Sequence, residues 1–197
     1  MPTVPSIQIG IALNTPTLSG TEPPDPFAQG VIVPQFYRLY EQMDDALLRE
    51  LPLSVIQCTR RVGASTWMSL RVPGEYEVTE GHLVIVRSGI IAQDGEEQIG
   101  EFLRGVVTDV DDTIEPQSAV TVITARVQNP SFAQQTRTAQ AVSRRIDDDG
   151  RKSIQCAVDP LLRPNDTIDD DGDTWTAGTI EYRITHVGAR MVVTEAL

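Results

Sequence analysis

The chain has 197 residues, enough for one large domain or two small ones with a real core. A hydrophobic fraction of 40% excludes a disordered chain. A formal net charge of -12 argues against a general nucleic-acid binder, which needs a basic surface.

The same acidity suits a protein that must stay soluble, or one lining a channel through which DNA slides without sticking. Met1 to Pro5 shows no basic stretch followed by an apolar run, so no signal peptide is expected. No apolar run approaches the roughly 20 residues of a membrane helix, so membrane binding is not expected. Cys58 and Cys156 lie far apart in a chain with no metal-ligand cluster. Buried free thiols are the expectation, with a disulfide as the alternative.

Val4 to Leu13 reads as a first strand, and Thr15 to Asp25, rich in Pro, Gly, Ser and Thr, as a loop or extended arm whose outer bound is Gly30. Phe36, Leu39, Tyr40, Met43, Leu47 and Leu51 fall at helical spacing, which predicts a helix from Phe36 to Leu48 that Pro52 stops. Asp45 and Arg49 would pair on its outer face. Thr66, Met68, Leu70 and Val72 alternate with polar or exposed positions, the period of a half-buried strand. Pro73-Gly74 ends that strand. His82 to Arg87 is a short apolar run expected to be buried on both faces, and Asp94-Gly95 marks a hairpin turn. Gln98 to Val110 and Ala119 to Val127 are longer β segments around a turn holding Asp111, Asp112 and Pro116.

Asn129-Pro130-Ser131 then resembles a helix start, with Phe132, Gln135, Ala139, Val142 and Ile146 on one face. Asp147-Asp148-Asp149-Gly150 would stop this second helix. Beyond it Ile154, Cys156 and Val158 alternate, as do Ile180, Tyr182, Ile184 and His186, and Met191 to Leu197 forms a last strand. The expected fold is mainly β with one or two helices, built as two small antiparallel β-barrel or sandwich domains. The boundary is placed at Asn129: residues 1–129 with the arm and first helix, residues 130–197 with the second helix.

The sharpest catalytic pattern is Asp109-x-Asp111-x-Thr113 after an apolar stretch, the signature of haloacid-dehalogenase-type phosphatases. There the first Asp is the nucleophile, the second the general acid/base, and both hold Mg²⁺ at the end of a strand. The context differs: about half the chain precedes the pattern, and β segments follow it. Lys152, the sole lysine, is the one candidate to steady a phosphoryl group. Asp169-Asp170-Asp171-Gly172-Asp173 has the look of a calcium loop, but an EF-hand register on Gly172 puts Thr167 and Gly178 where acids belong. Both acid runs read as solvated turns. His186 falls on the apolar phase of its strand and is expected in the core or at an interface. No nucleophile elbow or phosphate loop is present, so no catalytic residue, metal ligand or cofactor is assigned.

One region carries a resemblance. Ala141 to Ile146, Ser153 to Val158, Asp159-Pro160-Leu161-Leu162-Arg163-Pro164-Asn165-Asp166, and Tyr182 to Leu197 with its His186 are similar to the closing region of bacteriophage tail hub proteins, where a strand carries a Val-x-His element. That family carries a Pro-x-Leu-Arg-Pro-Gly-Asp turn, and Asn165 stands where Gly is usual; Asn also enters the left-handed conformation. Thr66 to Pro73, Gly81 to Arg87, Leu103 to Val110 and Ala119 to Ala125 follow the family's first barrel more loosely. The resemblance implies paired β-barrels in a virion protein, assembled in the host cytoplasm. Copies would form a homo-oligomeric ring, a trimer or alternatively a hexamer, between tail-tube or distal-tail proteins and a tip or spike. DNA would be a partner only in transit through the lumen. Acidic loops at Asp147, Asp148, Asp149, Asp169, Asp170, Asp171 and Asp173 would face that lumen. The other readings are a hexameric tail-tube or distal-tail protein, the phosphatase, and a solitary β-sandwich binding module.

Overall fold

The structure, a computed structural model, describes residues 7–11, 33–44, 47–91, 96–115, 118–128 and 134–197. In chain order the strands are β1 (Ile7–Ile11), β2 (Val33–Asp44), β3 (Leu47–Leu51), β4 (Val55–Arg61), β5 (Thr66–Pro73), β6 (Leu83–Ile91) and β7 (Glu97–Glu115). They continue as β8 (Ser118–Val127), β9 (Thr136–Thr138), β10 (Ala141–Ile146), β11 (Lys152–Cys156), β12 (Thr167–Asp170), β13 (Asp173–Thr185) and β14 (Gly188–Glu195). The fold is mainly β, as the alternating stretches predict.

Among the described residues, hydrogen bonding runs along one open path, β1-β2-β6-β7-β8-β5-β4-β13-β14-β11-β10, which does not close on itself. Strand β3 joins β2 beside β1, and β12 joins β13 and carries β9. The β9–β12 pair is parallel; the other pairs along these ladders are antiparallel.

Strand β5 alternates as its residue pattern predicts: Thr66, Met68, Leu70 and Val72 are buried between more accessible neighbours. In β6, Val84, Ile85 and Val86 are buried in succession, so this strand is covered on both faces. Strand β7 is longer than expected. The turn placed around Asp111 and Asp112 is instead strand, because β7 and β8 continue as one hairpin to the Glu115–Ser118 pair. Two irregularities shape it: Phe102 is skipped in the β6 register and Thr108 in the β8 register. Such bulges bend a strand and raise its twist, letting Phe102 and Leu103 both turn inward.

Neither expected helix forms among the described residues. The predicted helix from Phe36 to Leu48 is the β2–β3 hairpin, in which Leu39 pairs with Leu51 and Tyr40 with Glu50. Tyr37, Leu39 and Glu41 take the inward positions of β2 while Phe36 is buried on the opposite face. An apolar residue on each face mimics a three-four repeat. Asp45 lies outside the described residues, and Arg49 bonds Glu41 and the Glu77 carbonyl rather than a helical neighbour. The second expected helix is β9 and β10 where it is described; its cap at Ser131 lies outside the described residues, as do the 15–30 arm and the Asp94-Gly95 turn. Val142 and Ile146, assigned to that helix's buried face, are exposed on β10. They anchor no helix because β10 gains its hydrogen bonds from β11.

Residues from both sides of Asn129 build one hydrophobic cluster, and β4 pairs with β13 across that point. At its centre Phe102 packs against Tyr37 (ring centroids 5.8 Å apart) and edge-on against Tyr182 (5.1 Å, 88°). Aromatic pairs of this geometry contribute about 0.5–1.5 kcal/mol beyond area burial. Arg60, the third inward position of β4 after Ile56 and Cys58, lies over both the Phe102 and Tyr182 rings. Burial raises the hydroxyl pKa of Tyr37 and of Tyr182, so both remain neutral hydrogen-bonding phenols.

Candidate functional site

The segment that carries the tail-hub resemblance folds into a tight knot. Asn165 has a φ of 76°, the left-handed conformation that its place in the turn predicts. Its N–H donates to the Ala177 carbonyl, and the Ala177 N–H donates back to the Asp166 carbonyl. The Asp166 side chain is buried and accepts from the Gln135 N–H at 3.0 Å and the Arg163 N–H at 2.8 Å. Arg137 lies 3.6 Å from it. A buried carboxylate needs such partners to offset its lost hydration. Leu162 enters the core, and its carbonyl accepts from Tyr182 Oη (3.2 Å), Arg60 (3.2 Å) and Arg163 (3.0 Å). Burial and the neighbouring Arg60 push the Arg163 pKa below its usual value. The knot is structural: its polar groups are spent on the fold.

The two acid runs lie at adjacent hairpin turns. In the β10–β11 turn, Asp147 Oδ1 accepts from the Asp149 and Arg151 N–H groups, and Gly150 turns the chain at a φ of 82°. Arg151 pairs with Asp147 at 3.1 Å and with Asp149 at 3.3 Å. In the β12–β13 turn, Asp171 and Gly172 both have positive φ, the requirement of the tight turn that matches strand twist. Asp169 caps it by accepting the Gly172 N–H at 2.9 Å.

Two cations from the first hairpin reach the second. Arg144 on β10 clasps Asp170 with two bonds of 2.7 Å, and Lys152 on β11 bonds both oxygens of Asp173 at 2.7 Å. These carboxylates raise the pKa of Arg144 and of Lys152. The fold thus brings all seven sequence-assigned aspartates to one region and ties the two turns together. Asp147, Asp169 and Asp170 serve mainly to build or brace it. Asp148 and Asp171 are exposed and meet no cation within ion-pair distance among the described residues. Among the described residues no three His, Cys, Asp or Glu side chains are placed to hold a metal ion.

Other motif residues are dispersed. Asp109 and Asp111 are exposed within antiparallel β7, not at the end of a buried parallel strand, and Lys152 is engaged by Asp173. His186 is exposed in the β13–β14 turn, not in the core. Its strand's inward alternation ends with Ile184 because the chain turns at Thr185. Cys58 and Cys156 are buried free thiols, each pushed up to about 12 by burial. Cys58 pairs with Tyr182, Tyr182 with Met191, and Met191 with Cys156, so two strands separate them.

Sequence reading missed two arrangements. Glu41 is buried on β2 and accepts from His82 Nδ1 at 2.9 Å and from Arg49. Burial raises its pKa, but these bonds outweigh it, and the net displacement is downward. An acid in the inward phase of a strand, after Tyr37 and Leu39, was the available signal. The second is Arg183 opposite Arg190 on the solvent face of β13 and β14. Their outward phase was legible, but their register was not.

No family model matches the chain, and no curated protein matches it. Among solved structures, the chain is similar to the 43 kDa tail protein of prophage MuSo2 from Shewanella oneidensis. The match has a TM-score of 0.54 at 8% identity and covers 81% of this chain and 96% of that one. At this identity the likeness establishes a shared fold.

Proposed function

We propose that this chain is a structural subunit of a bacteriophage tail, acting as a hub at the distal end of the tail tube. The observation that carries the reading is the fold shared with a prophage tail protein over most of both chains. The open sheet supports it: β1 with β3 at one end and β10 at the other present strand edges that a ring of copies would cover. The ring joins the tube to the tip or baseplate and leaves a channel for DNA. The acidic turns at 147–149 and 169–173 face that channel, where net negative charge keeps the passing phosphates from sticking.

The chain acts by assembly rather than catalysis. Asp109 and Asp111 are exposed on an interior antiparallel strand, where they lack the buried strand end that phosphatase chemistry uses. Native mass measurement of the purified protein tests the reading. A trimer supports the hub, a hexamer a tail-tube or distal-tail ring, and Mg²⁺-dependent phosphatase activity lost in Asp109→Asn would overturn both.

A further inference from the structure

Arg183 and Arg190 are directly opposite partners in the β13–β14 register, and both are exposed. Like charges in that arrangement repel and destabilise a sheet. Among the described residues neither guanidinium has an ion pair or a side-chain hydrogen bond. The row they occupy runs Arg190, Arg183, Gln57, Ser69 and Thr124 and reaches its first acid, Asp109, only four strands away from Arg183. The nearest acid along β13 on this face, Glu181, is one row away and makes no ion pair. In a chain of net charge -12, an uncompensated cationic pair stands out as a surface awaiting an anion.

We propose that this arginine pair docks the exposed Asp148 and Asp171 of a second copy from the flank of its acidic turns, so that the remaining acids of those turns keep the channel-facing position proposed above. The complementarity is local: one surface has two arginines that make no ion pair, the other Asp148 and Asp171, which lie outside ion-pair distance of any described cation, although Arg144 attracts Asp171 from farther off. It is also directional. Arg190 lies near the start of β14, whereas the acidic turns lie beyond its end, where Glu195 accepts the Lys152 N–H. The intervening strand alone spans roughly 15 Å at about 3.3 Å per residue. One copy therefore does not neutralise itself, and the contact runs head to tail, the arrangement that generates rings. A nucleic acid is the less favoured occupant, because the surrounding molecule is strongly acidic.

This inference rests on the self-assembly proposed above, and the test separates the two. Native mass measurements compare wild type, R183E/R190E, and the same variant with D148R/D171R added. The expected result is assembly of wild type, at least a tenfold weaker association of R183E/R190E, and recovery in the fourfold variant. R183Q/R190Q should melt no lower than wild type, since it removes a like-charge pair, yet also assemble more weakly. If R183E/R190E assembles as wild type does, the docking is wrong while the assembly reading stands. The same holds if assembly is unchanged and only binding to double-stranded DNA is lost. A wild type that stays monomeric throughout overturns the assembly reading and the docking with it.

Discussion

Replacing Arg60 by Met tests how the core is held together. Arg60 is only 4% exposed, and among the described residues no carboxylate pairs with it. Its charge is held by the Phe102 carbonyl at 2.9 Å, the Leu162 carbonyl at 3.2 Å and two aromatic faces. Methionine keeps the apolar stem and removes the guanidinium. Leu162 would still have Tyr182 Oη and Arg163 as donors. The Phe102 carbonyl would lose its Arg60 donor at a bulge where Phe102 itself has no register partner on β6. Hydrogen bonds to a charged group contribute about 1.5–3 kcal/mol each, and an orphaned buried carbonyl costs about 1–3 kcal/mol. Relief from burying a cation offsets part of this, leaving an expected loss of about 2–4 kcal/mol. Urea unfolding would show a lower midpoint with an unchanged slope. A variant as stable as wild type, or more so, would refute the reasoning: the desolvation of Arg60 would then equal or exceed what its bonds return.

Three further outcomes follow from the same packing. Glu41→Gln should destabilise at neutral pH by about 1–3 kcal/mol, since it weakens bonds to Arg49 and His82 around a buried site. The folded pKa of Glu41 is depressed, so its contribution is complete above the ordinary value of 4.5 and is lost as pH falls through the lower folded value. The gap between wild type and variant in urea titrations should therefore narrow in acid, and a gap that widens would contradict the sign. Gly178→Ala should cost about 1–3 kcal/mol, because its Cβ would meet the Ala196 backbone at 2.6 Å, and thermal melting would register the loss. Cys58 and Cys156 should resist a thiol reagent at pH 8 in the native state and react fully in denaturant, with no disulfide on a non-reducing gel.

Where one face of a strand is buried and the other wet, the residues announce it. Thr66 to Pro73 and the Ile180, Tyr182, Ile184 series are such cases, and both are strands with that inward phase. Phe36 to Leu51 misleads because β2 buries residues on both faces and then folds back as β3, so its apolar positions satisfy a helical count. Val142 and Ile146 mislead differently: they are apolar and four apart, yet they cover nothing. Asn165 was readable because a left-handed turn restricts residue type locally. The tying of Asp170 to Arg144 and of Asp173 to Lys152 was not, since it depends on two hairpins meeting in space. The same limit hid Arg60, whose charge alone would place it outside and whose strand phase places it inside.

Electron cryo-microscopy of the purified protein at assembly concentrations tests the proposed function most directly. A ring should appear, with an open lumen and with the 147–149 and 169–173 turns on its inner wall. Isolated monomers at every concentration, or a ring that carries those turns on its outer wall, would contradict the reading of this chain as a channel-forming tail subunit.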